Sequence, residues 1–296
     1  MIIEPSWTTK KINAALKREL LNKTREIVFK LGNYNLTECL VLHSNTKVTC
    51  EKGVVFYRKH KGRMLELYVT PDTKAYKGVH DITWSGGTFL ADSRSENANV
   101  ISLFHGKNLT FENVRIEGCR GMHSLEINAC KDVLIKGFSI VNQSSKDNAT
   151  YREAIQIDFA NKDGLSMKGA TGFSSCYDGT HCKNIEIYDC YISNCPNGIG
   201  THTVSTHGYH KNVVITDCWI NVEHNAIQLF GFDGCVIDDC HYDECPVLIG
   251  TKDTAHLNYG GKDKLLEPKG NKNVTISRYV ECNDGVTFKQ AKVIIE

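Results

Sequence analysis

The chain has 296 residues, enough for one large domain or two ordinary ones. Lys and Arg number 35 against 34 for Asp and Glu, so no global field draws the chain toward nucleic acid or a membrane surface. No apolar run approaches the ~20 residues that a bilayer span requires, and neither a nucleic-acid nor a membrane partner is expected.

The opening segment, MIIEPSWTTKKINAALKREL, lacks a basic head followed by an apolar stretch, so no signal peptide is visible. The expectation is a cytoplasmic or phage/virion-associated protein, or a secreted one with its leader removed. Residues 8–21 place Ile12, Ala15, Leu16 and Leu20 at helical spacing, with Thr8 or Thr9 as the cap. The following REIVFKLGNYNLTECLVLHSNTKVTCEKG reads as strand, turn, strand.

From there the chain repeats itself. KNLTFENVRIEGC from Lys107, KDVLIKGFSIVNQ from Lys131, KNIEIYDCYISNC from Lys183, KNVVITDCWINVE from Lys211, DGCVIDDCHYDEC from Asp233 and KNVTISRYVEC from Lys272 line up. Weaker copies start at Ser44 and His80. Most units open on a polar turn pair and then alternate apolar with polar residues, as a sheet with one buried face requires. Several gaps between units match a solenoid coil of about 20–30 residues. The longer gaps require insertions, expected at 159–182 and 254–272.

A second short strand follows four of the units: HSLEIN at 123–128, EAIQID at 153–158, NGIGTH at 197–202 and NAIQLF at 225–230. One such strand cannot bury its face alone; stacked neighbours create a continuous core. The expected fold is therefore all-β, a right-handed parallel β-helix over residues 1–296 as a single domain. Residues 1–30 would supply an N-terminal capping helix and a first strand. Of the 13 cysteines, Cys190, Cys218 and Cys240 recur at one place in successive units and read as an inward ladder of reduced thiols. Cys176, His181 and Cys182 stand close together, but no partner pair has finger-like spacing, so no metal and no cofactor is expected.

The start helix with Ile-Asn-Ala-Ala-Leu, followed by IVFKLGNYNLTECLVLHSNTKVTCE, resembles the opening of pectate-lyase-like β-helix proteins. The later coils resemble the broader polygalacturonase and pectate-lyase superfamily. That resemblance implies action on a polysaccharide. CPNGIGTHTVSTHGYHKN resembles the Gly-His-Gly strand of polygalacturonases with the histidine displaced, and the paired aspartates of that family are missing.

Outward residues on stacked rungs form columns about 4.8 Å apart per step. One column holds Asn128, Asp158, His202 and Phe230; a second holds Glu126, Gln156, Gly200 and Gln228. Asp158 is the first candidate for acid–base work, because a carboxyl in a groove is what proton transfer needs. Glu126, Glu153 or Asp178 is its candidate partner, with His202 orienting substrate. Glu126 and Asp158 stand one rung and two residues apart, roughly 8 Å corner to corner, within the separation of inverting glycosidases. Arg152, Gln156, Asn128, His207, His210, Gln228, Phe230 and Tyr151 are the expected substrate contacts. The site is expected to face solvent, with 159–182 as a wall.

Three functions fit these residues. The preferred one is a glycoside hydrolase acting on a poly- or oligosaccharide, with a uronic-acid polysaccharide lyase as its variant. The second is a non-catalytic glycan-binding or tail-spike-like adhesion module. The third is a purely structural solenoid.

Overall fold

The structure, a computed structural model, describes residues 1–17, 23–91, 98–146, 152–161, 174–201, 203, 208–242, 247–249, 271–277, 286–288 and 293–295. Among these the strands form three sheets, and neighbouring strands pair in parallel. The chain visits the sheets in rotation. Leu125–Asn128 lies in sheet C, Lys131–Lys136 in sheet A and Ser139–Val141 in sheet B; Glu153–Asp158 then returns to sheet C. The fold is a right-handed parallel β-helix.

The alternation in sequence becomes stacked columns inside. Ile82, Leu109, Val133, Ile185, Val213, Cys235 and Val274 pair rung on rung in sheet A. Ile101, Leu125, Ile155, Ile199 and Ile227 do the same in sheet C. All are buried, so each rung completes the face its neighbour leaves open.

The corner from sheet A to sheet B is turned by two residues, the first in the left-handed region. Asn113, Asp189, Asp217 and Asp239 occupy it, residue types whose short polar side chains tolerate that conformation. The second corner residue points inward, and here Cys190, Cys218 and Cys240 stack, each nearly inaccessible. Their thiols turn toward backbone carbonyls: Cys218 Sγ lies 3.2 Å from Thr216 O and Cys240 Sγ 3.4 Å from Asp238 O. Neighbouring thiols and burial push the Cys218 and Cys240 thiols far up, away from the reactive thiolate form. All the described cysteines are free.

At the start of sheet A a second left-handed position recurs, filled by Asp81, Asn108, Asp132, Asn184, Asn212 and Asn273. Their side chains bond along the solenoid axis: Asn184 Nδ2 donates to Asp132 Oδ1 at 2.7 Å, and Asn212 Nδ2 to Asn184 Oδ1 at 3.0 Å.

The first coil is closed by the helix Thr9–Lys17, which buries Ile12, Ala15 and Leu16. Thr8 Oγ1 accepts from the Lys11 amide and caps it. Leu20, expected in the same helix, lies outside the described residues. Asn13 donates to Cys39 O at 2.8 Å and accepts from the Val41 amide at 3.1 Å, pairing the outermost strand of sheet C, Leu40–Leu42, as another rung would. Of the insertion expected at 159–182, residues 159–161 and 174–182 are described, with a short 3-10 turn at Ser174–Cys176. Most of 254–272 lies outside the described residues.

Two outcomes check this account. Alkylating the native protein should leave Cys190, Cys218 and Cys240 unmodified until denaturant is added; their labelling under native conditions would contradict the inward ladder. Asn184→Ala should cost about 1–3 kcal/mol in a urea titration, through two lost ladder bonds and left-handed strain. Asn184→Gly should cost less because only the bonds are lost.

Candidate functional site

The outer face of sheet C carries the Glu126 column in the register read from the sequence, and the Asn128–Asp158 part of the other; His202 lies outside the described residues. Ser102, Glu126, Gln156, Gly200 and Gln228 pair in succession, as do Phe104, Asn128 and Asp158. Because Leu125, Ile127, Ile155 and Ile157 fill the core, the period-two rule turns Glu126, Asn128, Gln156 and Asp158 outward.

Outward does not mean exposed here. A solvent-lined groove was expected, yet Asp158 is 1% exposed and Glu126 and Glu153 are fully covered. Asn128, Gln156, Gln228 and Phe230 are buried as well. The physical reason is that the carboxylates accept from neighbouring amides and hydroxyls, which replaces much of the hydrogen bonding that water would supply.

Three donors converge on Glu126. Asn99 Nδ2 reaches Oε2, Ser102 Oγ lies 3.3 Å from the same oxygen, and Asn128 Nδ2 lies 3.3 Å from Oε1. Glu153 accepts from Gln228 Nε2 at 3.3 Å and has His123 Nδ1 3.6 Å from its Oε2. That His123 nitrogen also stands 2.9 Å from the Glu153 carbonyl.

Asp158 accepts from the Phe159 amide at 2.8 Å, and from Gln156 Nε2 and Thr203 Oγ1, each at 3.3 Å. Burial pushes its pKa up to about 8, helped by the charge of Glu126; the Phe159 and Thr203 bonds pull the other way. Desolvation wins, so this carboxyl carries its proton at neutral pH. On the neighbouring rung Asn128 Oδ1 is a buried acceptor with no hydrogen-bond partner among the described residues.

The remaining expected residues scatter. Asp178 does not join the cluster: its carboxylate accepts from the Ala75 amide at 2.7 Å and the Thr180 amide at 3.0 Å. It ties residues 174–182 to residues 70–78, where Tyr76 also donates to His181 O. Cys176 and Cys182 diverge, one thiol on Thr70 O and the other on Asp158 O, so they form no metal pair. His210 is no surface contact. It is buried, its ring centroid 4.9 Å from Phe232 and 5.2 Å from His181, with Nδ1 accepting from the Cys182 amide. Burial and His181 hold its pKa well below the ordinary value, so it is neutral. Arg152 is half-buried, its carbonyl accepting from Gln143. Tyr151, His202 and His207 lie outside the described residues.

Sequence reasoning passed over Arg63, Glu66, Asn99, Ser102 and His123, which complete this face. Glu66 pairs with Ser102 at the head of the Glu126 column, and burial raises its pKa against the pull of Arg63. Arg63 Nε donates to Ser102 Oγ at 2.9 Å. A signal for His123 was present: the first residues of HSLEIN, EAIQID, NGIGTH and NAIQLF are His123, Glu153, Asn197 and Asn225, a third polar column.

No protein-family model matches the chain, and no curated protein matches its sequence. Solved structures do match. The PfbA surface adhesin of Streptococcus pneumoniae superposes with a TM-score of 0.71 at 17% identity, over 99% of this chain and 71% of the adhesin. An iota-carrageenase complexed to iota-carrageenan fragments gives 0.58 at 12% identity, over 91% of this chain and 67% of the enzyme. A second iota-carrageenase, from A. fortis, gives 0.54 at 12% identity, over 93% and 68%. These likenesses show a shared fold, the parallel β-helix that the three parallel sheets of this chain form.

Proposed function

We propose that this protein is a carbohydrate-active β-helix that hydrolyses a polysaccharide at the outer face of sheet C. The observation that carries the reading is a pair of buried carboxyls on one face: burial raises the Asp158 pKa to about 8, and Glu126 stands on the neighbouring rung with Asn99, Ser102 and Asn128 donating to it. A carboxyl that keeps its proton and a second carboxyl on the same face are what glycoside hydrolysis needs. Asp158 is the proton donor to the leaving oxygen and Glu126 the base that activates water, with Glu153 and His123 holding the geometry. One rung by two residues separates the pair by roughly 8 Å, room for a water and hence inversion. The likeness to carrageenases adds a fold-level analogy.

The carboxyls are covered, so turnover requires that this face be opened by substrate. That coverage, with the likeness to an adhesin, favours one second reading: a surface that binds glycan without cleaving it.

A panel of acidic and neutral polysaccharides separates the two. Release of reducing ends without absorbance from unsaturated uronate marks a hydrolase, both signals a lyase, and binding alone the adhesion reading. On the substrate so found, Asp158→Asn should cut turnover by about 10²-fold or more while binding persists. Near-full activity in that variant would remove Asp158 from the mechanism.

Stability gives an independent check. The Asp158 pKa is raised in the fold from 3.8 to about 8, so the folded state binds more protons than the unfolded chain between those values. Its contribution is full at the acid end and is lost as pH rises toward about 8. Asp158→Asn should therefore flatten the fall in denaturation midpoint across that window. An unchanged slope would mean the carboxyl ionises normally.

A further inference from the structure

A row of lysines runs along the outside of sheet A, on a face that the site above does not use. Lys107 pairs with Lys131, Lys131 with Lys183, and Lys183 with Lys211, so four ammonium groups occupy four successive rungs. His80 precedes them by one rung, and Lys272 follows two rungs beyond Lys211, with Asp233 between. Lys107, Lys211 and Lys272 are exposed and Lys131 and Lys183 half-exposed.

Rungs are about 4.8 Å apart, well inside the screening length of about 8 Å at physiological salt, so these charges repel one another. Neutralisation by the protein is sparse. Among the described residues, Lys131 is the member of the four with a carboxylate within salt-bridge reach, Asp132 at 3.7 Å. The acids of the adjoining column are shared with other partners: Asp81, which also feels the Lys107 charge, bonds His80 and Asn108, and Asp132 accepts from Asn184 as well as facing Lys131. A like-charged file of this kind contributes nothing to folding and matches an external chain of opposite charge.

Beside the row lies a shallow groove of about 370 Å3. Asn108, Thr110, Asn184 and Asn212 line it with amide and hydroxyl groups, and Asp132 and Glu186 add two acids. No aromatic ring lines it, so it offers no platform for stacked bases, which single-stranded nucleic acid sites use. The row is single file and straight, with one cation per rung, which suits a single polymer bearing one anionic group per sugar.

We infer that the Lys107–Lys131–Lys183–Lys211 row binds a linear anionic polysaccharide, carboxylated or sulfated, along the solenoid axis. The choice of a sugar polymer rests on the carbohydrate reading of this protein; the anionic character rests on the row alone. Bound there, the polymer is held on sheet A while the acid cluster lies on sheet C, so retention and turnover are separable.

Native gel electrophoresis through polygalacturonate, iota-carrageenan or neutral dextran tests this. The wild-type protein should be retarded by the two anionic polymers and not by dextran, with retardation falling as salt rises. Replacing all four lysines by Gln should weaken apparent affinity by about 10-fold or more, and each of the pairs Lys107→Gln/Lys131→Gln and Lys183→Gln/Lys211→Gln should lose part of that. A control of equal charge change at the exposed Lys10, Lys23, Lys52 and Lys59 should bind like the wild type. Asp158→Asn should also bind like the wild type, which keeps failure of the row distinct from failure of the catalytic reading. Four outcomes would overturn the inference: no retardation of the wild type, undiminished binding by the four-lysine variant, equal loss in the control, or tighter binding of single-stranded DNA at the same salt.

Discussion

Parallel pairing in register repeats one strand pattern along an axis, and every other property of this protein follows from that repetition. A residue at a given place in a coil meets its counterpart in the next coil rather than a random neighbour. Apolar places therefore become continuous columns, such as Ile101 to Ile227, and each column is buried only because the next rung is present. The same repetition acts on polar places. It builds the asparagine ladder at one corner, the thiol ladder at another, the acid and amide columns of sheet C, and the lysine file of sheet A.

Stacking like with like has opposite consequences for different side chains. Amides gain, because each is both donor and acceptor and can bond in both directions, as Asn184 does between Asp132 and Asn212. Thiols gain by packing. Carboxylates and ammonium groups lose, because identical charges a rung apart repel. Sheet C meets that difficulty by interleaving Ser102, Gln156 and Gln228 with its acids and by leaving a proton on Asp158. Sheet A leaves its lysines toward water, where solvent moderates the repulsion.

The same distinction explains what the sequence disclosed. Period-two alternation in HSLEIN and EAIQID placed Glu126 against Gln156 and Asn128 against Asp158, because those pairings depend only on local spacing. The cysteine ladder was legible for the same reason. The burial of Glu126 and Asp158 was not, since it depends on contacts from Asn99 and Ser102 to the first and from Thr203 to the second, which lie outside the repeat units read from the sequence. Asp178 was assigned to the cluster on proximity in sequence, whereas its bond to Ala75 spans a distance no pattern encodes. His210 looked like one of several surface histidines, and only the ring stack with Phe232 and His181 shows it to be packed inside.

The amide of Asn13 has a consequence beyond local capping. A solenoid of parallel strands ends in a strand whose outer hydrogen-bonding groups are open, and such an edge invites another chain to continue the sheet. By donating to Cys39 O and accepting from the Val41 amide, one side chain occupies two of the backbone groups at which a second molecule would dock on Leu40–Leu42. Asn13 thus acts as a chain terminator at this edge of sheet C, blocking head-to-tail filament growth of the kind seen in cross-β assemblies.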